Sequence, residues 1–280
     1  MLKPVMPSGL PNLRILPLKA LILHEAHDNQ RALPLVEKLR AQAILRNPPV
    51  VMPLMDGTDR YMVLDGSNRV TSFKEMEFPH IVAQVVEADD PNVSLRTWKH
   101  VVWGMSTRTL LSAIRRVDGL DLREINPYKS MEAPDHAPVQ IRLPDGRLFL
   151  GRTPADTCGY VRVLHGIVNT YKDRASLDRT SQTLIDSFRS TYPDLTALLI
   201  FPRLEIQTLL ELAGRGSVLP PGITRFTVSP RALHLNYPLH ELSSGKPLEY
   251  KEAYLKQWVE ERVTKKGVRL YAEATFLFDE

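Results

Sequence analysis

A single cysteine, Cys158, stands in 280 residues. That excludes an internal disulfide framework and fits a reducing compartment, so we expect a cytoplasmic protein. Long apolar runs are missing too, since no uninterrupted stretch reaches the roughly 18 residues that would cross a bilayer. Lys3 precedes an apolar-leaning stretch, but Pro4, Pro7, Pro11, Arg14, Pro17 and Lys19 cut it too short for a signal-peptide core. Charge of one sign is scarcely in excess. With 36 basic against 32 acidic residues the net charge is +4, and no Lys/Arg run marks a basic arm, so nothing calls for nucleic acid. Repeats and low-complexity tracts are absent as well. What remains is a globular composition, 43% hydrophobic and 24% charged, long enough for one large or two ordinary domains.

Periodicity organises the first third as an α/β unit. Residues 15–23 read as a strand ending at His24-Glu25, and a helix follows with Leu35, Val36, Leu39 and Ala43 on one face and Pro34 near its start. Asn47-Pro48-Pro49 opens a strand over 50–54, Asp56-Gly57 turns it, and 61–64 returns. A helix from 67 to about 76 and a strand over 81–86 come next. Residues 98–116 read as one helix with Trp98 and Trp103 in the core. A polar, proline-containing stretch over 118–138 reads as a linker, placing domains at 1–120 and 134–280. The second begins with a hairpin over 139–150. It continues with helices over 159–172 and 204–213, a strand over 197–201 and a Gly/Pro-rich loop into 223–226. A helix over 249–266 and a strand over 268–278 close it. The expected fold class is α/β (α+β).

Three polar knots carry chemistry. In Asp65-Gly66-Ser67-Asn68-Arg69 a strand stops, turns through small residues and starts a helix with Arg69 in its first turn. Uncovered N–H groups at a helix N-terminus hold phosphate or carboxylate, with Asp65 left for a metal or a substrate hydroxyl. An ordinary strand-to-helix turn, N-capped by Ser67 or Asn68, fits the same residues. His24-Glu25-Ala26-His27-Asp28 is one residue short of the His-Glu-x-x-His zinc motif and lacks a third ligand, which speaks against a zinc protease. Glu25 is then a general base at a strand end, or part of a solvated turn in which Asp28 caps the next helix. Thr224-Arg225 follows Leu219-Pro220-Pro221-Gly222; Arg225 can clamp a carboxylate, though an alternating surface strand reads the same way. Cys158 has no cationic neighbours in sequence to activate it and reads as a buried apolar residue.

Together these pieces resemble the ParB N-terminal/sulfiredoxin-like superfamily over residues 10 to 115. Within it they are most similar to the free serine kinases of the siderophore-locus regulator/O-phospho-L-serine synthase type. The second domain of that family carries Leu-Pro-Pro-Gly-Ile-Thr-Arg and then Arg-Ala-Leu, here Leu219 to Arg225 and Arg231-Ala232-Leu233. The resemblance implies a ParB/sulfiredoxin-like nucleotide-binding domain and a second α/β domain that binds substrate. It implies a kinase that moves a phosphoryl group from ATP or ADP, with Mg2+, to free L-serine or a similar small hydroxy amino acid. Glu25 matches the family's acid/base, Asp65 the acidic residue near the reacting hydroxyl and Mg2+, and Gly66, Ser67, Asn68 and Arg69 the phosphate turn. Trp98, Thr224 and Arg225 match the serine-binding residues. Two histidines of the family's turn are Ser67 and Asn68 here, and a histidine after Thr-Arg is Phe226. The same superfamily supplies the alternative, a nucleotide- or metabolite-sensing regulator without catalysis. Ser67 stands where sulfiredoxin needs a cysteine, which excludes that chemistry. Residues 107–124 make a poor helix-turn-helix.

Overall fold

A computed structural model describes residues 9–26, 29–126, 139–154 and 156–271. The apolar run over 15–23 is not one strand. Pro17 ends β1 (Leu13–Pro17), a 3-10 turn follows over Leu18–Ala20, and β2 (Leu21–Leu23) begins afresh. Next come α1 (Asn29–Gln42), β3 (Ile44–Leu45), β4 (Val50–Pro53), β5 (Tyr61–Asp65), α2 (Ser67–Glu75) and β6 (His80–Val85). The first sheet has the order β1-β6-β4-β5-β2, so the break at Pro17 sends its two halves to opposite edges. β2 lies parallel to β5, with Leu23 opposite Val63. His24-Glu25 and Asp65 therefore leave the sheet from the carboxyl ends of neighbouring parallel strands, where open α/β sheets bind ligands.

The second sheet takes its strands from a longer reach of chain. After β7 (Val93–Thr97), β8 (Lys99–Trp103) replaces the first part of the expected helix over 98–116, and α3 (Thr107–Ile114) starts only after Ser106 caps Thr109 N. Val101 and Val102, branched at Cβ and both buried, favour the extended chain there. Then follow β9 (Asp121–Ile125), β10 (Val139–Arg142), β11 (Leu148–Arg152), α4 (Thr157–Asn169), β12 (Ser176–Thr180) and β13 (Leu195–Ile200). α5 (Ile206–Gly214), β14 (Thr224–Val228), β15 (Tyr237–Pro238), α6 (Leu239–Ser243) and α7 (Leu248–Thr264) complete the series. The second sheet runs β12-β8-β13-β10-β11-β9, while β14 pairs with β7 and β15 with β3. The second sheet takes β8 from before residue 120 and four of its strands from after residue 134, while the first, all from residues 13–85, is contacted by α7 at β1. The expected strand over 268–278 is not formed at 268–271, and its remainder lies outside the described residues, as do His27, Asp28 and residues 127–138.

Alternation explains why β4 and β5 are apolar throughout. Val50, Met52, Met62 and Leu64 share a buried cluster with Val102, Ile141, Leu164 and Leu199 of the second sheet and its helix. Val51 and Val63 point the other way and join Leu39, Phe73, Leu255 and Trp258 of α1, α2 and α7. The first sheet is thus a middle layer, and each fully buried Val, Leu or Met stabilises it by about 1.5–3 kcal/mol. Among the described residues no helix is long and apolar enough to cross a membrane.

Candidate functional site

Glu25 leaves β2 and meets the loop before β14. Leu219 N donates to His24 O at 2.8 Å, and Ala26 N donates to Leu219 O at 2.8 Å, a one-residue parallel bridge. The carboxylate beyond it is clamped. Oε2 accepts Gly222 N at 2.7 Å; Oε1 accepts Ile223 N at 3.0 Å, Thr224 N at 2.5 Å and the Thr224 hydroxyl at 2.6 Å. Three backbone N–H groups and one hydroxyl thus hold the carboxylate in place. Gly222 is required for the clamp: its φ is +82°, and a Cβ there would lie 2.2 Å from Arg179 Nε. Its carbonyl accepts His100 Nε2 at 2.8 Å, so one peptide faces Glu25 and a buried histidine at once. The structure therefore gives Glu25 a built environment rather than a solvated turn.

The Asp65 turn differs from the capped alternative. Gly66 is the N-cap of α2 at φ 92° and ψ 24°, and no side chain caps the helix. Ser67 and Asn68 lie inside the first turn, leaving its N–H groups at the positive end of the dipole. A Cβ at Gly66 would meet Arg69 at 2.7 Å and Pro49 at 2.9 Å. Asp65 Oδ2 accepts Arg69 at 3.0 Å and Arg231 at 2.6 Å. Burial opposes ionisation of Asp65, but Arg69 and then Arg231 outweigh it and hold the carboxyl below its ordinary range. The Nε atoms of Arg69 and Arg231 are buried without a hydrogen-bond partner. Two positive charges against one negative, with two spare donors, suit a phosphate. Both guanidinium groups act on Asp65 Oδ2, and no cluster of three His, Cys, Asp or Glu is found among the described residues.

Trp98 sits between β7 and β8, not on a helix, and its N donates to Ile223 O at 2.7 Å. The Arg225 guanidinium stacks 4.4 Å from the Trp98 ring centroid. Thr224 and Arg225 are neighbours on a strand, so their side chains face opposite ways: Thr224 toward Glu25, Arg225 toward Trp98. Arg225 lies directly opposite Arg96 in the register of β14 and β7. The Lys99 ammonium is held below its ordinary value by burial first, then by Arg203, Arg225 and Arg96. Such a gathering of like charge is costly without an anion. Phe226, on the Thr224 face, meets His24 edge-on at 5.6 Å. Trp103 is no core residue but stacks on Tyr192, and Cys158 is exposed rather than buried.

The sequence-derived candidates thus assemble in three groups: Glu25 with Thr224, Asp65 with Arg69, and Trp98 with Arg225. Arg231 was not singled out as a site residue, because nothing local marks an arginine after Pro230 as a partner of Asp65. His100 and Gly222 were missed for the same reason, their roles arising from contacts across 122 residues.

The fold is shared with solved structures of a free serine kinase. The complex with AMP superposes with a TM-score of 0.68, covering 85% of this chain and 98% of that one at 15% identity. The chain is also similar to the ATP-dependent L-serine kinase SbnI of Staphylococcus aureus, 26% identical over 273 residues, 96% of this chain and 98% of that protein. A structure of SbnI with a C-terminal truncation matches with a TM-score of 0.71 at 24% identity, over 90% of this chain and 97% of that one. The ATP-dependent L-serine kinase of Staphylothermus marinus is 33% identical over 104 residues, 37% of this chain and 40% of that protein. No protein-family model matches.

Proposed function

We propose that this protein is a nucleotide-dependent kinase that phosphorylates the hydroxyl of free L-serine or a similar small hydroxy amino acid. The observation that carries the reading is the ordered carboxylate of Glu25 at the end of β2, beside the uncapped N-terminus of α2 at the end of β5. Likeness to an ATP-dependent L-serine kinase over nearly the whole chain supports ATP as donor and serine as acceptor.

Phosphoryl transfer asks little of a protein beyond positioning, charge neutralisation and one base. The N–H groups of Ser67, Asn68 and Arg69, with the free guanidinium edges of Arg69 and Arg231, bind and neutralise the phosphates. Asp65 Oδ2 holds both arginines in place. Glu25 takes the proton of the acceptor hydroxyl as it attacks. Arg225, backed by Trp98, takes the acceptor carboxylate on the basic face of β14. The first sheet then carries the nucleotide, and the loop and strand from 219 to 228 carry the amino acid. A magnesium ion would neutralise phosphate charge, and Asp65 would hold it through Oδ1, which neither guanidinium group engages.

The test is to incubate the protein with L-serine and ATP or ADP in Mg2+ and to look for O-phosphoserine by mass spectrometry. No product from either donor, over a panel of small hydroxy acids, overturns the reading.

A further inference from the structure

Three short contacts run in line from the first sheet into the clamp. His24 Nδ1 lies 2.6 Å from Val63 O, His24 Nε2 lies 2.7 Å from Thr224 Oγ1, and Thr224 Oγ1 lies 2.6 Å from Glu25 Oε1. A carbonyl oxygen only accepts, so Nδ1 carries a hydrogen. Each of the other two contacts also needs one hydrogen between its atoms. A neutral imidazole and a threonine hydroxyl supply two hydrogens for three contacts. The third therefore sits either on His24 Nε2, giving imidazolium beside carboxylate, or on Glu25 Oε1, giving carboxylic acid beside neutral imidazole. Two proton transfers through the Thr224 hydroxyl, from Nε2 to Oγ1 and from Oγ1 to Oε1, convert the first arrangement into the second.

We propose that His24 and Glu25 share one proton through the Thr224 hydroxyl, so that His24 sets the ionisation of the Glu25 carboxyl. Opposing forces keep the two arrangements in competition. Burial pulls the imidazole below its ordinary value, while Glu25 and the Val63 carbonyl pull it back. Three backbone N–H groups and the Thr224 hydroxyl donate to the two Glu25 oxygens. Glu25 is the charged group acting on His24, and the ring that meets it from β14, Phe226, is neutral. His24 is 3% exposed, so water does not take the place of any of these partners.

The consequence for catalysis rests on the kinase reading. Oε2 accepts one hydrogen bond, from Gly222, and keeps a lone pair for the acceptor hydroxyl. As the hydroxyl O–H bond breaks, an O–H bond forms at Oε2. A proton held on Oε1 passes at the same moment to Thr224 Oγ1, and the threonine proton passes to His24 Nε2. The step ends with one proton on Glu25 and an imidazolium at His24. His24 is thus a positioning residue that works through Thr224.

The proton sharing is tested without nucleotide or serine, so its failure is separate from failure of the kinase reading. In 15N-histidine NMR titrations of the intact protein, neutral His24 should carry its proton on Nδ1. Its midpoint should fall by more than about one pH unit in Glu25→Gln, the mark of strongly coupled sites. Thr224→Ser should keep the wild-type midpoint, and Thr224→Val should shift it and shrink the further effect of Glu25→Gln. A neutral tautomer protonated on Nε2 in the wild type, or one midpoint common to wild type and Glu25→Gln, overturns the proposal.

Discussion

Glu25 and Thr224, 199 residues apart in the chain, share two hydrogen bonds on one carboxylate oxygen, from the backbone N–H and from the hydroxyl. That contact ties the carboxyl end of β2 to the start of β14 and fixes the carboxylate proposed as the base.

Glu25→Gln keeps a carbonyl oxygen for the Ile223 and Thr224 donors but removes the base. Serine phosphorylation should fall about 100- to 10,000-fold, the usual worth of a positioned general base. Nucleotide affinity, measured by calorimetry, should be unchanged. A variant that turns over at the wild-type rate assigns the base elsewhere.

Arg231→Met removes one of the two guanidinium groups on Asp65 and one of the two spare Nε donors. Nucleotide affinity should weaken roughly 10- to 100-fold, as expected for charged hydrogen bonds of about 1.5–3 kcal/mol. Calorimetric titration with ATP and ADP measures it, and thermal melting checks that the fold survives.

Arg225→Met should raise the KM for serine while leaving nucleotide affinity intact, because its guanidinium faces Trp98 rather than the Asp65 turn. Steady-state kinetics with each substrate varied in turn separates the two. A change confined to the nucleotide KM contradicts the placement of the acceptor carboxylate.

Acid should weaken the fold in a defined window. Burial pushes the His100 imidazole down to about 4, while Nδ1 meets the Tyr171 hydroxyl at 2.7 Å. Between that value and the ordinary 6.5 the unfolded chain binds a proton that the folded chain refuses. Stability is therefore complete above the ordinary value and is lost as pH falls toward the folded one, by about 2 kcal/mol between pH 7 and 5. Buried His24, also held below its ordinary value, adds to the same slope. Urea unfolding at the two pH values measures the loss, and His100→Asn should flatten it without abolishing it.

Gly222→Ala places a Cβ on the Arg179 guanidinium and strains a backbone at φ +82°. It should lower stability by about 1 kcal/mol or more. It should also lower activity, because the Gly222 N–H moves off Glu25. Thermal melts and initial rates read the two effects separately.

Much of the fold was legible because it is local. Turns at Asp56-Gly57 and Asp145-Gly146, the helices α4 and α5, and the charged helix α7 stand near their expected places. The apolar runs were not decisive. Pro17 split one of them into strands on opposite edges, and the stretch at 98–103 joined a sheet whose other strands lie far along the chain. Glu25 and the Asp65 turn were legible as polar clusters ending apolar strands. Arg231 and the relay through His24 were not, because an arginine after Pro230 or a histidine before Glu25 acquires its partner only when β14 and its flanks fold back onto the first sheet.

The central claim, phosphoryl transfer to free serine with Glu25 as base, is tested most directly by 31P NMR of a reaction containing ATP, Mg2+ and L-serine. A phosphomonoester resonance coupled to the serine β-protons should grow with wild-type protein as the γ-phosphate signal falls, and should grow at least about 100-fold more slowly with Glu25→Gln. ATP that stays intact in the presence of serine, or is hydrolysed to inorganic phosphate alone, would contradict the account.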